Sequence, residues 1–283
     1  MTNNIKFFNF KKEGKAVPGA LYLNEYYALN ENIDIIDLAL DPRKLSIDML
    51  HLRDKLEAEQ IEFLTPVINP GKVICVGLNY EDHVKELSRE TLQFPTFFSR
   101  HNHSFVPHMQ SILMSSLSEK YDYEAELAVI IGKPAYKINR AEAQDHICGY
   151  SIFNDVTVRD YQARTSQWYL GKNFYQAGSF GPFLVPASSL PSNGEGLKME
   201  TKVNEIILQS ANTSEMIFKP DELVFELAKI MPLEKGDVII TGTPGGVAVS
   251  RTPRTYLKDG DICTISIENV GQLQNKFIRA RIK

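Results

Sequence analysis

Tyr121-Asp122-Tyr123-Glu124-Ala125-Glu126-Leu127-Ala128-Val129-Ile130-Ile131-Gly132 runs from acidic residues directly into an apolar stretch that ends on glycine. The β-branched residues and the closing glycine predict a strand. Side chains alternate across a strand, so Glu124 and Glu126 share one face while Leu127 and Val129 take the other. Two carboxylates carried together into an apolar strand repel each other and lose hydration unless a cation lies between them. A third carboxylate, Asp155, closes another apolar strand at Phe153-Asn154-Asp155, where a loop could bring it to the same point. Hard oxygen ligands of this kind suit magnesium or manganese and leave positions open for substrate and water. The competing reading places both glutamates on a solvated strand face, which a lone E-x-E pattern also fits.

Outward from this segment the chain changes texture once. Residues 1–68 alternate short β-like runs, Ile5 to Phe10 and Ala20 to Leu23, with an amphipathic stretch from Ser46 to Phe63. In that stretch Met49, Leu52, Leu56 and Phe63 recur near helical spacing, which predicts a helix. Thr65-Pro66 and Asn69-Pro70-Gly71 then punctuate the chain, and buried-type strands begin at Val73-Ile74-Cys75-Val76-Gly77. A small N-terminal α/β domain over 1–68 and a larger domain over 69–283 follow from that break. In the larger part, strands are expected at 96–98, 124–131, 150–154, 183–185, 238–241 and 262–267, with a hairpin around Val203-Asn204-Glu205. Helices are expected over 82–87 and 156–163, and over 223–230 behind Pro220-Asp221-Glu222. The class is α+β and strand-dominated, without the regular alternation of a doubly wound sheet.

Composition narrows the function. The 283 residues are 43% hydrophobic, enough for one substantial core with an annex. Thirty-one basic residues against 35 acidic give a charge of −4, so no global field attracts nucleic acid or anionic lipid, and neither is an expected partner. The N-terminal residues lack an apolar signal, and the longest apolar run is far short of the ~20 residues of a spanning helix, which points to a cytoplasmic protein. Cys75, Cys148 and Cys263 are odd in number and sit in apolar surroundings, as reduced core thiols do.

Several other residues carry possible chemistry. Lys172, in Trp168-Tyr169-Leu170-Gly171-Lys172-Asn173-Phe174, lies among aromatics where an unpaired ammonium is costly; beside three carboxylates it would balance charge and bind a substrate oxygen, and otherwise it is a surface lysine packed on Trp168. His83 and Glu86 are three apart, so one helical turn brings them within hydrogen-bond reach. That pairing suits a base that activates water, with Glu86 orienting the ring, or plain helix-surface electrostatics. Thr241-Gly242-Thr243-Pro244-Gly245-Gly246-Val247 lacks the marks of a phosphate loop or dinucleotide site and reads as a turn whose backbone closely approaches a small ligand. His101, His103 and His108 have chelating spacing, yet no cysteine or carboxylate stands nearby to complete a zinc shell.

In this order, the segments resemble the fumarylacetoacetate hydrolase family. The match runs from about Lys72 to Asn275 through Gly77-Leu78-Asn79-Tyr80-x-x-His83, Asp122-x-Glu124-x-Glu126-Leu127-Ala128, Gly149-Tyr150-x-x-x-Asn154-Asp155, Arg159-Asp160-x-Gln162, Gly171-Lys172-Asn173-Phe174, Gly181-Pro182 and the glycine-rich turn. The resemblance implies a mixed β-roll catalytic domain, a homodimer, and Mg²⁺, with Mn²⁺ or Ca²⁺ as substitutes, held by Glu124, Glu126 and Asp155. It also implies that Arg159, Gln162, Lys172, Gly242 and Thr243 meet a small 2-oxo acid substrate, with His83 and Glu86 as a water-activating dyad on a lid. Tyr175 stands where relatives often carry aspartate, Ser179 where proline is common and Arg100 where many have lysine, and these departures are expected to bear on the substrate's tail. The implied reaction is carbon–carbon hydrolysis of an acylpyruvate-like or fumarylpyruvate-like acid. Oxaloacetate decarboxylation, or the hydratase, isomerase and lyase chemistry of the same family, is the alternative. From another class, a non-catalytic binder of metal and oxo acid would keep the carboxylates but need no base.

Overall fold

The computed structural model describes residues 5–41 and 53–280. The predicted apolar runs become strands because each is flanked by others that cover both of its faces. Ala125–Ile131 is buried at every position: Leu127, Val129 and Ile131 face one apolar cluster, Ala128 and Ile130 another. It pairs antiparallel with Ile147–Asn154 on one side and Val238–Ile240 on the other.

These strands lie within a mixed sheet. From one edge the order is Lys55–Leu56, Glu25–Ala28, Lys15–Tyr22, Lys6–Lys12, Gly178–Pro186, Ile147–Asn154, Ala125–Ile131, Val238–Ile240, Val73–Gly77 and Thr96–Arg100. Val238–Ile240 and Val73–Gly77 run parallel, whereas the other neighbours on this path are antiparallel. A second sheet, ordered Ile206–Asn212, Lys198–Val203, Ile262–Ile267, Gly271–Arg279 and Ile112–Met114, contributes Met199, Ile265, Leu273 and Phe277 to the larger core. The helix Pro220–Ile230 opens with proline and two acids and lays Leu223, Val224, Leu227 and Ala228 on that core. The architecture is the strand-dominated α+β roll expected.

The smaller cluster gathers Ile5, Phe7 and Val67 with Ile35, Ile36, Leu38 and Ala39 of the helix Ile35–Leu40, an element the sequence pattern did not mark. The helix expected over Ser46 to Phe63 does not form in its described part. Residues 53–63 hold a short strand at Lys55–Leu56, one 3₁₀ turn at Ala58–Gln60 and the start of a strand at Phe63–Leu64; Met49 and Leu52 lie outside the described residues. Leu56 and Phe63 are seven apart, a spacing that suits two helical turns but equally two strands that both reach the sheet. The helix expected over 156–163 is likewise shorter, because Thr157–Val158 pairs with Tyr121–Asp122 and leaves one helical turn, Arg159–Gln162.

Candidate active site

The carboxylates meet because two strand ends are in register. Ala125 pairs with Asn154 and Glu126 with Phe153, so Glu124 and Asp155 extend from adjacent strands, joined by Asp155 N–H donating to Glu124 O at 2.9 Å. One oxygen from each of Glu124, Glu126 and Asp155 lies within 4.8 Å of the others, and all three residues are buried. Lys172 Nζ donates to Glu124 Oε2 at 2.6 Å and also to the Asp155 carboxylate. Arg159 Nη2 lies 2.7 Å from Glu124 Oε1, and Arg100 Nη1 donates to Asp155 Oδ1 at 2.6 Å.

These cations divide unequally. Burial opposes the charge on Glu124, but Lys172 and Arg159 outweigh it and hold this carboxyl down at about 2. Lys172 is itself disfavoured by burial, yet Asp155, Glu124 and Glu126 keep its ammonium charged. Glu126 takes only the Gly242 N–H as a hydrogen-bond partner among the described residues, and burial together with the Asp155 and Glu124 charges pushes it well above the usual carboxylate range. Gly242 holds a positive φ of 95°, where an added Cβ would also lie 2.8 Å from Asn79 Cβ. Three hard-oxygen donors, one lacking an ion-pair partner among the described residues, fit a divalent cation, which would offset the burial and like-charge repulsion that raise Glu126.

His83 sits on the helix Glu81–Glu86, with Nδ1 2.7 Å from Glu86 Oε1. Glu86 Oε2 accepts from Gly246 N–H at 2.9 Å and Ser250 Oγ–H at 2.7 Å, while Gly245 N–H donates to Asp82. Partial burial raises the Glu86 carboxyl, but the His83, Gly246 and Ser250 hydrogen bonds win and leave it below the ordinary value. An anionic Glu86 fixes Nδ1 as the donor and leaves Nε2 as the ring's acceptor. A cavity of about 870 Å³ is lined by His83, Arg159, Gln162, Lys172 and Thr243 together with the three carboxylates; Glu86 stands outside the lining, bonded to His83, as does Gly242, bonded to Glu126. The turns that carry Gln162 and Lys172 touch at Gly171, where any Cβ would strike Gln162 at 2.6 Å.

Arg100 corrects one expectation. It lies against Asp155 among the candidate metal ligands rather than near the substrate's tail. Tyr175 is exposed, and Ser179 is buried with an unpartnered hydroxyl. Gln209, whose amide ties Ala125 N–H to Thr243 Oγ1 and Pro244 O, escaped the sequence pattern, and Asp122, quoted there without a role, lies behind Arg159. A basic residue ending an apolar strand, Phe97-Phe98-Ser99-Arg100, mirrors the acid that ends Phe153-Asn154-Asp155 and was the available signal. Of the three histidines, His101 and His103 stack at 5.7 Å, while His108 packs edge-on against Phe63 at 5.2 Å.

Residues 72–278 match the family described as Fumarylacetoacetate (FAA) hydrolase C-terminal. The rat protein named oxaloacetate tautomerase Fahd2a, mitochondrial, is 39% identical over 220 residues, covering 77% of this chain and 70% of the relative. Its human counterpart, oxaloacetate tautomerase FAHD2A, mitochondrial, is 39% identical over 79% of this chain and 71% of its own. Among solved structures, a fumarylacetoacetate hydrolase from Exiguobacterium antarcticum superposes with a TM-score of 0.85 at 33% identity, covering 98% of this chain and 100% of that one. A 5-carboxymethyl-2-hydroxymuconate delta-isomerase from Mycobacterium smegmatis gives 0.79 at 25% identity, with coverage of 98% and 100%.

Proposed function

Because this chain belongs to the fumarylacetoacetate hydrolase family, whose members are metal-dependent enzymes acting on oxo acids, we propose that it carries a small 2-oxo acid through its enolate. Magnesium is the proposed cation, with Glu124, Glu126 and Asp155 as its ligands and oxaloacetate as the first substrate to test. The observation that carries this reading is the buried carboxylate trio opening onto a cavity that also presents a histidine base and two cations.

A bound divalent ion supplies Lewis acidity, lowering the cost of negative charge on the ketone oxygen. The protein's own groups do the rest. Arg159 and Lys172 offer positive charge to the substrate's carboxylate and ketone. Gln162 uses Oε1 to accept from Arg159, which leaves its amide N–H groups to donate, and Thr243 Oγ1 accepts from Gln209, which leaves its proton to donate. His83 Nε2 takes a proton from C3 of the keto form and delivers it to the oxygen of the resulting enolate to give the enol, with Glu86 stabilising the charged ring between the two transfers. Names of the relatives at 39% identity favour this oxaloacetate reading. Hydrolysis of an acylpyruvate is the second reading. It is favoured by the His83–Glu86 pair, which equally suits proton removal from water.

The test follows loss of the oxaloacetate enol absorbance and release of pyruvate from oxaloacetate and from an acylpyruvate, each with and without Mg²⁺. Magnesium-dependent turnover of one substrate is expected, and His83→Ala should lower kcat by about 10²- to 10⁴-fold while leaving Mg²⁺ affinity intact. No turnover on any 2-oxo acid, or wild-type rates in His83→Ala, contradicts the assignment. No helix among the described residues is long and apolar enough to cross a membrane, and buried free thiols support a reducing compartment, in our reading the cytoplasm. We further propose a homodimer, supported by the open edge of Thr96–Arg100 beside the exposed Ile230; light scattering tests it.

A further inference from the structure

Asp122 opens the acidic motif yet has no role among the candidate ligands or in the dyad. It is fully buried and accepts three hydrogen bonds: Oδ2 from Arg159 Nε at 2.7 Å and Val249 N–H at 3.0 Å, Oδ1 from Ala248 N–H at 2.7 Å. Arg159 is thereby gripped at its Nε, while Nη1 donates to Gln162 Oε1 at 3.0 Å. Its third nitrogen, Nη2, is buried and ion-paired with Glu124 Oε1 at 2.7 Å, and has no well-aligned hydrogen-bond acceptor among the described residues. A buried guanidinium nitrogen with unspent donors on the wall of a cavity is prepared for an acceptor that arrives with the ligand. A planar guanidinium held at two of its nitrogens can rotate little, so the direction of the third is set by what grips the other two.

We infer that Asp122 is a positioning residue, acting through Arg159 to aim Nη2 at the carboxylate of the bound acid; this rests on the oxo-acid reading of the cavity. The amides of Ala248 and Val249 belong to the same loop as Gly246 and Ser250, which hold Glu86. In Asp122→Asn the new amide keeps an acceptor for one partner but turns N–H donors toward Arg159 Nε and its neighbour. The guanidinium then loses its anchor while the candidate metal ligands stay in place.

The test is a double-mutant cycle on Asp122→Asn and Arg159→Gln, read by calorimetric titration of Mg²⁺, then of oxalate into the Mg²⁺-loaded protein, and by KM and kcat for oxaloacetate. Asp122→Asn is expected to weaken oxalate and raise KM by about tenfold or more, with Mg²⁺ affinity and kcat within about threefold. In the Arg159→Gln background the same change should weaken oxalate by less than about twofold, because its route of action is already gone. Losses that multiply in the double variant, or Mg²⁺ affinity falling as far as oxalate affinity, overturn the inference. Should Asp122→Asn alone melt below the assay temperature, Arg159→Gln against the double variant, where neutral side chains face each other, decides the question by the same criterion. Wild-type protein that binds Mg²⁺ but no oxalate removes the oxo-acid reading and this inference with it, a result distinct from multiplying losses.

Discussion

At the scale of single residues, environment separates groups of the same type. Glu124 and Glu126 stand two apart, but Lys172 and Arg159 neutralise the first, while the second has one backbone amide. His108 shows the same principle away from the site. Burial lowers it to about 4, and its Nδ1 accepts Gln274 N–H, so the folded protein holds this ring neutral. Since the unfolded chain takes up a proton near the ordinary histidine value and the fold does not, stability is full above about pH 6.5 and falls as the pH drops toward 4. Urea unfolding across that window should show wild type losing up to about 3 kcal/mol more than His108→Gln; parallel curves contradict a half-buried ring held neutral. Residue chemistry was partly legible in the sequence. Paired glutamates entering an apolar strand, and a histidine three residues before a glutamate, announce themselves by spacing. Arg100 did not, because its meaning lies in Asp155, 55 positions away.

At the scale of elements, the strand Ala125–Ile131 holds the site because it is anchored on both faces. Leu127 is fully buried, and its carbonyl accepts from the Thr241 N–H and hydroxyl just ahead of Gly242. Leu127→Ala should cost about 3 kcal/mol in urea unfolding, the range for truncating a core leucine; a loss under about 1 kcal/mol contradicts the packing described. Strands were the most legible elements, since continuous apolar runs between turn residues admit few other structures. Helices were less so. Leu56 and Phe63 matched a helical period by coincidence, and Thr157 left the expected helix because it and Val158 pair with Tyr121–Asp122. Periodicity records which residues are buried, not which partner buries them.

At the scale of the molecule, the sheet runs through the division we propose at residue 68. Lys6–Lys12 pairs with Gly178–Pro186, and Phe8, Tyr26 and Phe63 pack around Phe183, with ring centroids 6.2 to 6.4 Å from it. N-terminal and catalytic parts should therefore unfold together. The single tryptophan, Trp168, lines the cavity, so its fluorescence reports the catalytic part. Phe8→Ala should lower the transition seen by Trp168 and by circular dichroism alike, by about 3 kcal/mol or more, whereas an unmoved Trp168 transition would show two independent units. This long-range packing was not legible in the sequence, where the texture change at Pro66 to Gly71 marks a turn without saying what the chain returns to. The proposed function depends on the three carboxylates, 4.8 Å or less apart. The most direct measurement is calorimetric titration of Mg²⁺ into wild type and Glu126→Gln. One ion per chain in wild type is expected, with affinity reduced by about tenfold or more in the variant. Equal affinities, or no binding to either protein, contradict a metal centre at this site.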